Sequence, residues 1–200
     1  MEFISDFLQL NLLSYALILG IIIMLIENRR ERPHGTDHVI AIVVMLTVIV
    51  INASLRDLYL MRGFDSERDY RNDVVMTMFY LRTAIEHILF PMIAYVELLL
   101  IAPVQKKNIL FIPEAVCIVS EIVNLASPGI IFRFNKHLGY GDGPLMMLPY
   151  FVGMIYLLLL MRYSILFIKE KELSKGVTVI FIVFLTLAEC YLECLCVSLS

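Results

Sequence analysis

The sequence contains no tryptophan and is poor in charge. Asp, Glu, Lys and Arg make up 18% of its 200 residues, against about 25% in soluble domains. Its basic residues form no stripe and the formal net charge is -3, which argues against nucleic acid as a partner. The 4 cysteines all lie in apolar segments, unlike those of a secreted disulfide scaffold. The N-terminal MEFISDF is acidic where a signal peptide is basic, so we predict that the first apolar segment is retained.

Catalytic signatures are also missing. The sequence has no G-x-S-x-G motif, no H-E-x-x-H motif and no glycine-rich phosphate loop, each of which supports a defined chemistry. The loops are short, and no soluble domain interrupts the apolar segments. We therefore predict that this chain is not an enzyme and needs no cofactor.

The sequence is rich in long hydrophobic segments. Hydrophobic residues make up 60% of the chain and the mean hydropathy is +0.83. Several runs of about twenty apolar residues are typical of membrane-spanning helices. These features predict an all-α, polytopic membrane helix bundle that forms a single domain over residues 1–200. Its six transmembrane helices are predicted at residues 7–26, 39–55, 74–101, 109–126, 145–168 and 177–197.

The arginines predict the orientation of this bundle. Arg29, Arg30 and Arg32 follow the first span and none precedes it. By the positive-inside rule the N-terminus then lies outside and the first loop lies in the cytoplasm. The charged loop 56–73 and the aromatic loop 130–144 are expected on the external side.

The third predicted span carries charges at a depth where hydrocarbon makes them costly. Arg82 and Glu86 lie one turn apart on one helix face, and His87 follows about 100° further round. A charge at the bilayer centre costs at least ~2.5 kcal/mol, so these side chains are expected to face protein or water. We predict that this span lies at the centre of the bundle and lines an outward-facing polar cavity. The remaining members of that cavity are Glu121, Glu189 and Glu193 on the fourth and sixth spans, with Arg133 and Tyr140 at its rim.

Each of these groups also has a plainer interpretation. Arg82 and Glu86 have the spacing of an intrahelical ion pair. Glu86 and His87 could form a proton relay, but adjacent residues point to different faces of a helix. The alternative interpretation is that His87 is an interior histidine with its hydrogen bonds satisfied. Cys190 and Cys194, beside the two glutamates of the sixth span, have a spacing compatible with zinc or copper. Small cysteines also pack well between membrane helices, and no matching second ligand group is visible, so no metal is predicted.

Three segments resemble the N-terminal seven-helix membrane sensor regions of bacterial GGDEF diguanylate cyclases and histidine kinases. LNLLSYALILGIIIMLIENRR (10–30) is similar to the first helix with its arginine exit, and FYLRTAIEHILFPMIAYVELLL (79–100) is similar to the third. The segment 124–160 is similar to the aromatic external loop and the helix that follows it. The chain departs from the family in two ways: the loop YGDGP (140–144) lacks an arginine that many relatives have, and no seventh helix is present.

The resemblance implies a sensory input module in the bacterial cytoplasmic membrane that relays a stimulus to a cytoplasmic output domain beyond residue 200. The expected partners are the lipid bilayer, that output domain, an unidentified small ligand and a second copy of the chain. Two alternatives stay open. One is a small-solute transporter or substrate-binding membrane subunit, since six helices in 200 residues match the size of vitamin-binding subunits of uptake systems. The other is a structural subunit whose buried charges only hold helices together.

Overall fold

The structure, a computed structural model, describes residues 15–16, 18–19, 22–23, 36–62, 71–101, 107–134 and 141–169. Within these ranges the chain is mostly helical, which confirms the all-α prediction. The helices are α1 (Thr36–Arg62), α2 (Asp73–Ile101), α3 (Lys107–Leu110), α4 (Ile112–Ala126) and α5 (Leu148–Lys169). Two strands of two residues, β1 (Arg133–Phe134) and β2 (Gly141–Asp142), pair antiparallel between α4 and α5.

The helices differ from their predicted bounds in ways that proline and asparagine explain. The predicted span 109–126 is divided at Phe111 into α3 and α4, because Pro113 fits only the first turn of a new helix. Asn72 caps α2, where its side-chain oxygen accepts the backbone N–H groups of Val74 and Val75 at 3.1 and 3.4 Å. Helix α1 runs past the predicted end at residue 55 into the charged loop, since no glycine or proline intervenes before Gly63.

Helix α2 is the central element of the described structure. It packs against α1, α4 and α5, as predicted from its charged side chains. The apolar core around its second half lies between α2, α4 and α5, and Gly153 of α5 lets the ring of Phe90 approach closely. The buried members of this core are Ala94, Leu98, Cys117, Val152, Tyr156, Leu157 and Leu160. Pro91 lies inside α2 without ending it.

Two of the helical stretches, Asp37–Arg56 and Asn108–Ala126, are long and apolar enough to cross a membrane, and Leu148–Tyr163 is a shorter apolar helix. Apolar side chains also lie exposed at helical spacing, as in Phe151, Met154 and Leu158 of α5. These features favour association with a membrane. The six-span arrangement stays a prediction: most of residues 7–26 and all of residues 177–197 lie outside the described residues.

The connection between α4 and α5 folds back over the N-terminal half of α2. We call its described residues, 127–134 and 141–147, the loop cap. Asn124, at the end of α4, accepts the backbone N–H groups of Ile131 and Phe132 at 3.1 and 3.2 Å. On the opposite side of the loop, a Cβ at Gly143 would overlap the carbonyl oxygen of Ile131, so only glycine fits there. The hydrogen bonds to Asn124 of α4 and the close packing of Gly143 against Ile131 therefore fix the conformation of the loop cap.

Candidate functional site

A polar contact joins α2 to α1 at the level of Arg82. The Arg82 guanidinium lies 3.2 Å from the Glu86 carboxylate, so the intrahelical pair expected from the i, i+4 spacing forms. The side-chain amide of Asn52 donates to the same carboxylate at 2.9 Å and to the backbone carbonyl of Arg82 at 3.2 Å. The Arg82 guanidinium also lies 5.9 Å from the ring centroid of Phe79, a cation–π distance. All these groups are partly buried, and α1 is thereby fixed to one face of α2.

A second polar contact joins α2 to α4 one residue further along. Nδ1 of His87 lies 2.8 Å from Oε1 of Glu121, and the two side chains are 7% and 1% exposed. The contact brings together two residues that the sequence analysis assigned to one cavity. Glu121 pairs with His87 and not with Arg82 or Glu86, because residues 86 and 87 point about 100° apart on the helix.

Helix α2 therefore bonds to two different helices through adjacent residues. Glu86 faces α1 and His87 faces α4. Pro91 lies four residues beyond His87 and has no N–H to donate to its carbonyl. The backbone ladder of α2 consequently lacks one bond at the level of the two polar contacts, which lowers the resistance of the helix to bending there.

The loop cap covers the second contact with aromatic rings. Phe132 is fully buried, and its ring meets the ring of His87 edge-on with centroids 5.4 Å apart. Tyr80 packs against Phe132 at 5.6 Å, and its hydroxyl accepts the backbone N–H of Phe134 at 3.3 Å. Such edge-to-face pairs contribute about 0.5–1.5 kcal/mol beyond burial. The cap is thus in direct contact with the ring of His87.

The remaining predicted site residues have different outcomes. Arg133 is exposed on β1, beside the buried Phe132. Tyr140, Glu189, Glu193, Cys190 and Cys194 lie outside the described residues. Within the part of the chain that the structure describes, no three His, Cys, Asp or Glu side chains converge as metal ligands do.

No family model, curated protein or solved structure matches the chain. The resemblance to sensor regions of GGDEF cyclases and kinases therefore stays a prediction made from the residues. Any function has to be argued from the contacts themselves.

Three side chains that matter in the structure were not predicted from the sequence. Asn52 lies within an apolar span, where a polar side chain signals a contact with another helix. Asn124 lies near the end of its span and serves the loop beyond it. Glu114 is fully buried in the first turn of α4, and its position beside Pro113 in an otherwise apolar segment was the available signal. Of these, Asn52 extends the Arg82–Glu86 pair into an interhelical contact.

The two contacts join three helices through side-chain hydrogen bonds. No nucleophile with an activating base is evident among these contacts. The geometry therefore supports a hydrogen-bonded junction between helices.

Proposed function

We propose that the chain is the membrane-embedded sensory input of a bacterial signalling protein, in which α2 relays a stimulus from the loop cap to the opposite membrane face. The proposal includes the six-span bundle with its N-terminus outside and an output domain, a diguanylate cyclase or a kinase, beyond residue 200. One observation carries it: adjacent residues of α2, Glu86 and His87, bond to two different helices below an aromatic cap.

This geometry suits a switch with two packings. A small rotation of α2 changes the distance from Glu86 to Asn52 and from His87 to Glu121 together, because both contacts lie at one level of the helix. Packed helical interfaces shift between discrete arrangements and do not deform continuously. A ligand that binds one of the two arrangements more tightly shifts their populations by the difference in its binding free energy.

The loop cap supplies a route for that stimulus. The exposed Arg133 and the buried Phe132 are neighbours on the chain, and Phe132 contacts His87. An anionic or polar ligand at Arg133 would displace the cap backbone and, through the ring of Phe132, the imidazole below it. Helix α2 then extends for fourteen residues beyond His87, about 21 Å at 1.5 Å per residue, toward the predicted cytoplasmic side.

The reading frame downstream of Ser200 provides the first test. A seventh span followed by a GGDEF-bearing or kinase domain supports the proposal, and a stop codon directly after Ser200 contradicts it.

The second test measures signalling in the full-length protein. Glu121→Gln and His87→Gln alter the α2–α4 contact without removing side-chain volume, and Val119→Ala changes an exposed residue of the same helix. A change of about 1.4 kcal/mol in the relative stability of the two packings shifts their ratio about tenfold. We expect the first two variants to change basal cyclic-dinucleotide or phosphoryl output several-fold, and Val119→Ala to leave it unchanged. Normal output from all three variants would refute the switch, and solute uptake into vesicles dependent on His87 would favour the transporter alternative.

A further inference from the structure

Glu114 is a buried carboxyl group that the proposed switch does not use. Its side chain is 0% exposed, and within the described residues neither carboxylate oxygen has a hydrogen-bond partner. It is the third residue of α4, after the N-cap Phe111. A glutamate at this position often reaches back to the N-cap N–H in a capping box, and Glu114 makes no such bond.

The hydroxyl of Tyr156, near Glu114, is already used in two hydrogen bonds to the backbone. The backbone N–H of Glu114 donates to this hydroxyl at 3.1 Å, and the hydroxyl donates its own proton to the carbonyl of Leu110 at 2.9 Å. The phenol of Tyr156 therefore has no second proton to give to the carboxylate.

Among the described residues, the groups that interact electrostatically with Glu114 bring no positive charge. Tyr95 of α2, Tyr156 of α5 and Cys117 of α4 lie within electrostatic range of Glu114. The ring of Tyr95 packs against that of Tyr156 with centroids 5.7 Å apart. Glu121, two turns further along α4, is engaged by His87. An ionised Glu114 would thus be a desolvated charge next to phenols and a thiol, an arrangement that costs several kcal/mol.

We infer that Glu114 is a proton-binding site, a neutral carboxylic acid at neutral pH whose proton is stored in the core between α2, α4 and α5. A cation at Glu114 would need several oxygen ligands. Among the described residues, no group of three or more His, Cys, Asp or Glu side chains is placed to hold a metal ion. The inference does not depend on the sensory function.

Infrared spectroscopy of the purified protein in lipid tests this inference, because an un-ionised carboxylic acid absorbs at a different frequency from a carboxylate. We expect the wild type to show an un-ionised carboxyl band at neutral pH that is lost reversibly at alkaline pH. Glu114→Gln should lose the intensity of one carboxyl group and keep the wild-type melting temperature, since a neutral amide of the same shape replaces a neutral acid.

Glu121→Gln is the matched control, because Glu121 is equally buried on the same helix but paired with His87. The Glu114 band should persist in this variant. A wild-type spectrum with no un-ionised carboxyl band overturns the inference without any variant, which covers the case that Glu114→Gln fails to fold. A carboxylate signal that responds to sodium instead of pH would overturn the inference that Glu114 binds a proton and would indicate a bound cation. Full band intensity in Glu114→Gln would also overturn it.

Discussion

The contact between His87 and Glu121 allows a quantitative test of the packing of α2 on α4. His87→Ala leaves Glu121, which is 1% exposed, with no partner on either carboxylate oxygen among the described residues. Removing one partner of a buried pair costs about 3–5 kcal/mol. Hydrogen bonds between membrane helices average only about 0.6 kcal/mol, because the unfolded chain in the membrane also finds partners. We expect a larger cost here because both side chains of this pair are almost completely buried.

Glu121→Ala should cost less, about 1–3 kcal/mol, because it leaves one ring nitrogen of His87 without a partner, whereas His87→Ala leaves the whole carboxyl group of Glu121 unpaired. The double variant leaves neither group unpaired. We therefore expect its cost to fall below the sum of the two single costs by about 2 kcal/mol, within the 0.5–3 kcal/mol range of residues in direct contact.

Equilibrium unfolding in mixed detergent micelles measures all four corners of this cycle. Ser120→Ala is the matched control, since among the described residues the Ser120 hydroxyl donates only to the carbonyl of Cys117 on its own helix, and it should change stability by less than about 0.5 kcal/mol. Costs of His87→Ala and Glu121→Ala that add to within about 0.5 kcal/mol would refute the pairing. So would a His87→Ala cost as small as that of the serine control.

Three further substitutions test the cap and the α1 contact through the melting temperature in detergent. Gly143→Ala puts a methyl group onto a backbone carbonyl oxygen, so we expect a cost of about 1–3 kcal/mol; a neutral result would contradict the close approach. Asn124→Ala removes the acceptor of two buried N–H groups, at about 1–3 kcal/mol each, whereas Asn124→Asp keeps an acceptor and should cost less. Asn52→Leu removes the donor to Glu86 at about 1–2 kcal/mol, and Ile51→Leu on an exposed face of α1 is its control.

The sequence predicted the centre of the fold because charge is so costly in an apolar helix. The positions of Arg82, Glu86 and His87 identified α2 as the helix that the others pack against, and their 100° spacing predicted that Glu86 and His87 face different neighbours. Which helix each one meets depends on the order and tilt of helices, and no local pattern encodes this. The partner of Glu86, Asn52, was missed for that reason. The division of the fourth span at Phe111 could have been predicted from Pro113, because a proline inside a helix removes a backbone hydrogen bond and clashes with the preceding turn.

Three of the described carboxylates between the helices, those of Glu86, Glu114 and Glu121, differ in the groups that balance them, and this difference separates their roles. Glu86 has a guanidinium and an amide, and Glu121 has an imidazole from another helix. The cost of burying each is offset only while those partners stay in place, so each carboxylate resists separation of the elements it joins. Glu114 has no partner among the described side chains, and a neutral acid there contributes no such link.

Movement of α2 relative to α1 and α4 must therefore break or exchange the contacts of Glu86 and Glu121. A change in the charge of Glu114, in contrast, acts on the core between α2, α4 and α5 without any partner being displaced. Substitutions at the His87–Glu121 contact and at Glu114 should consequently change the free energy of unfolding independently and additively. Strong coupling between His87→Ala and Glu114→Gln would show that one network includes both.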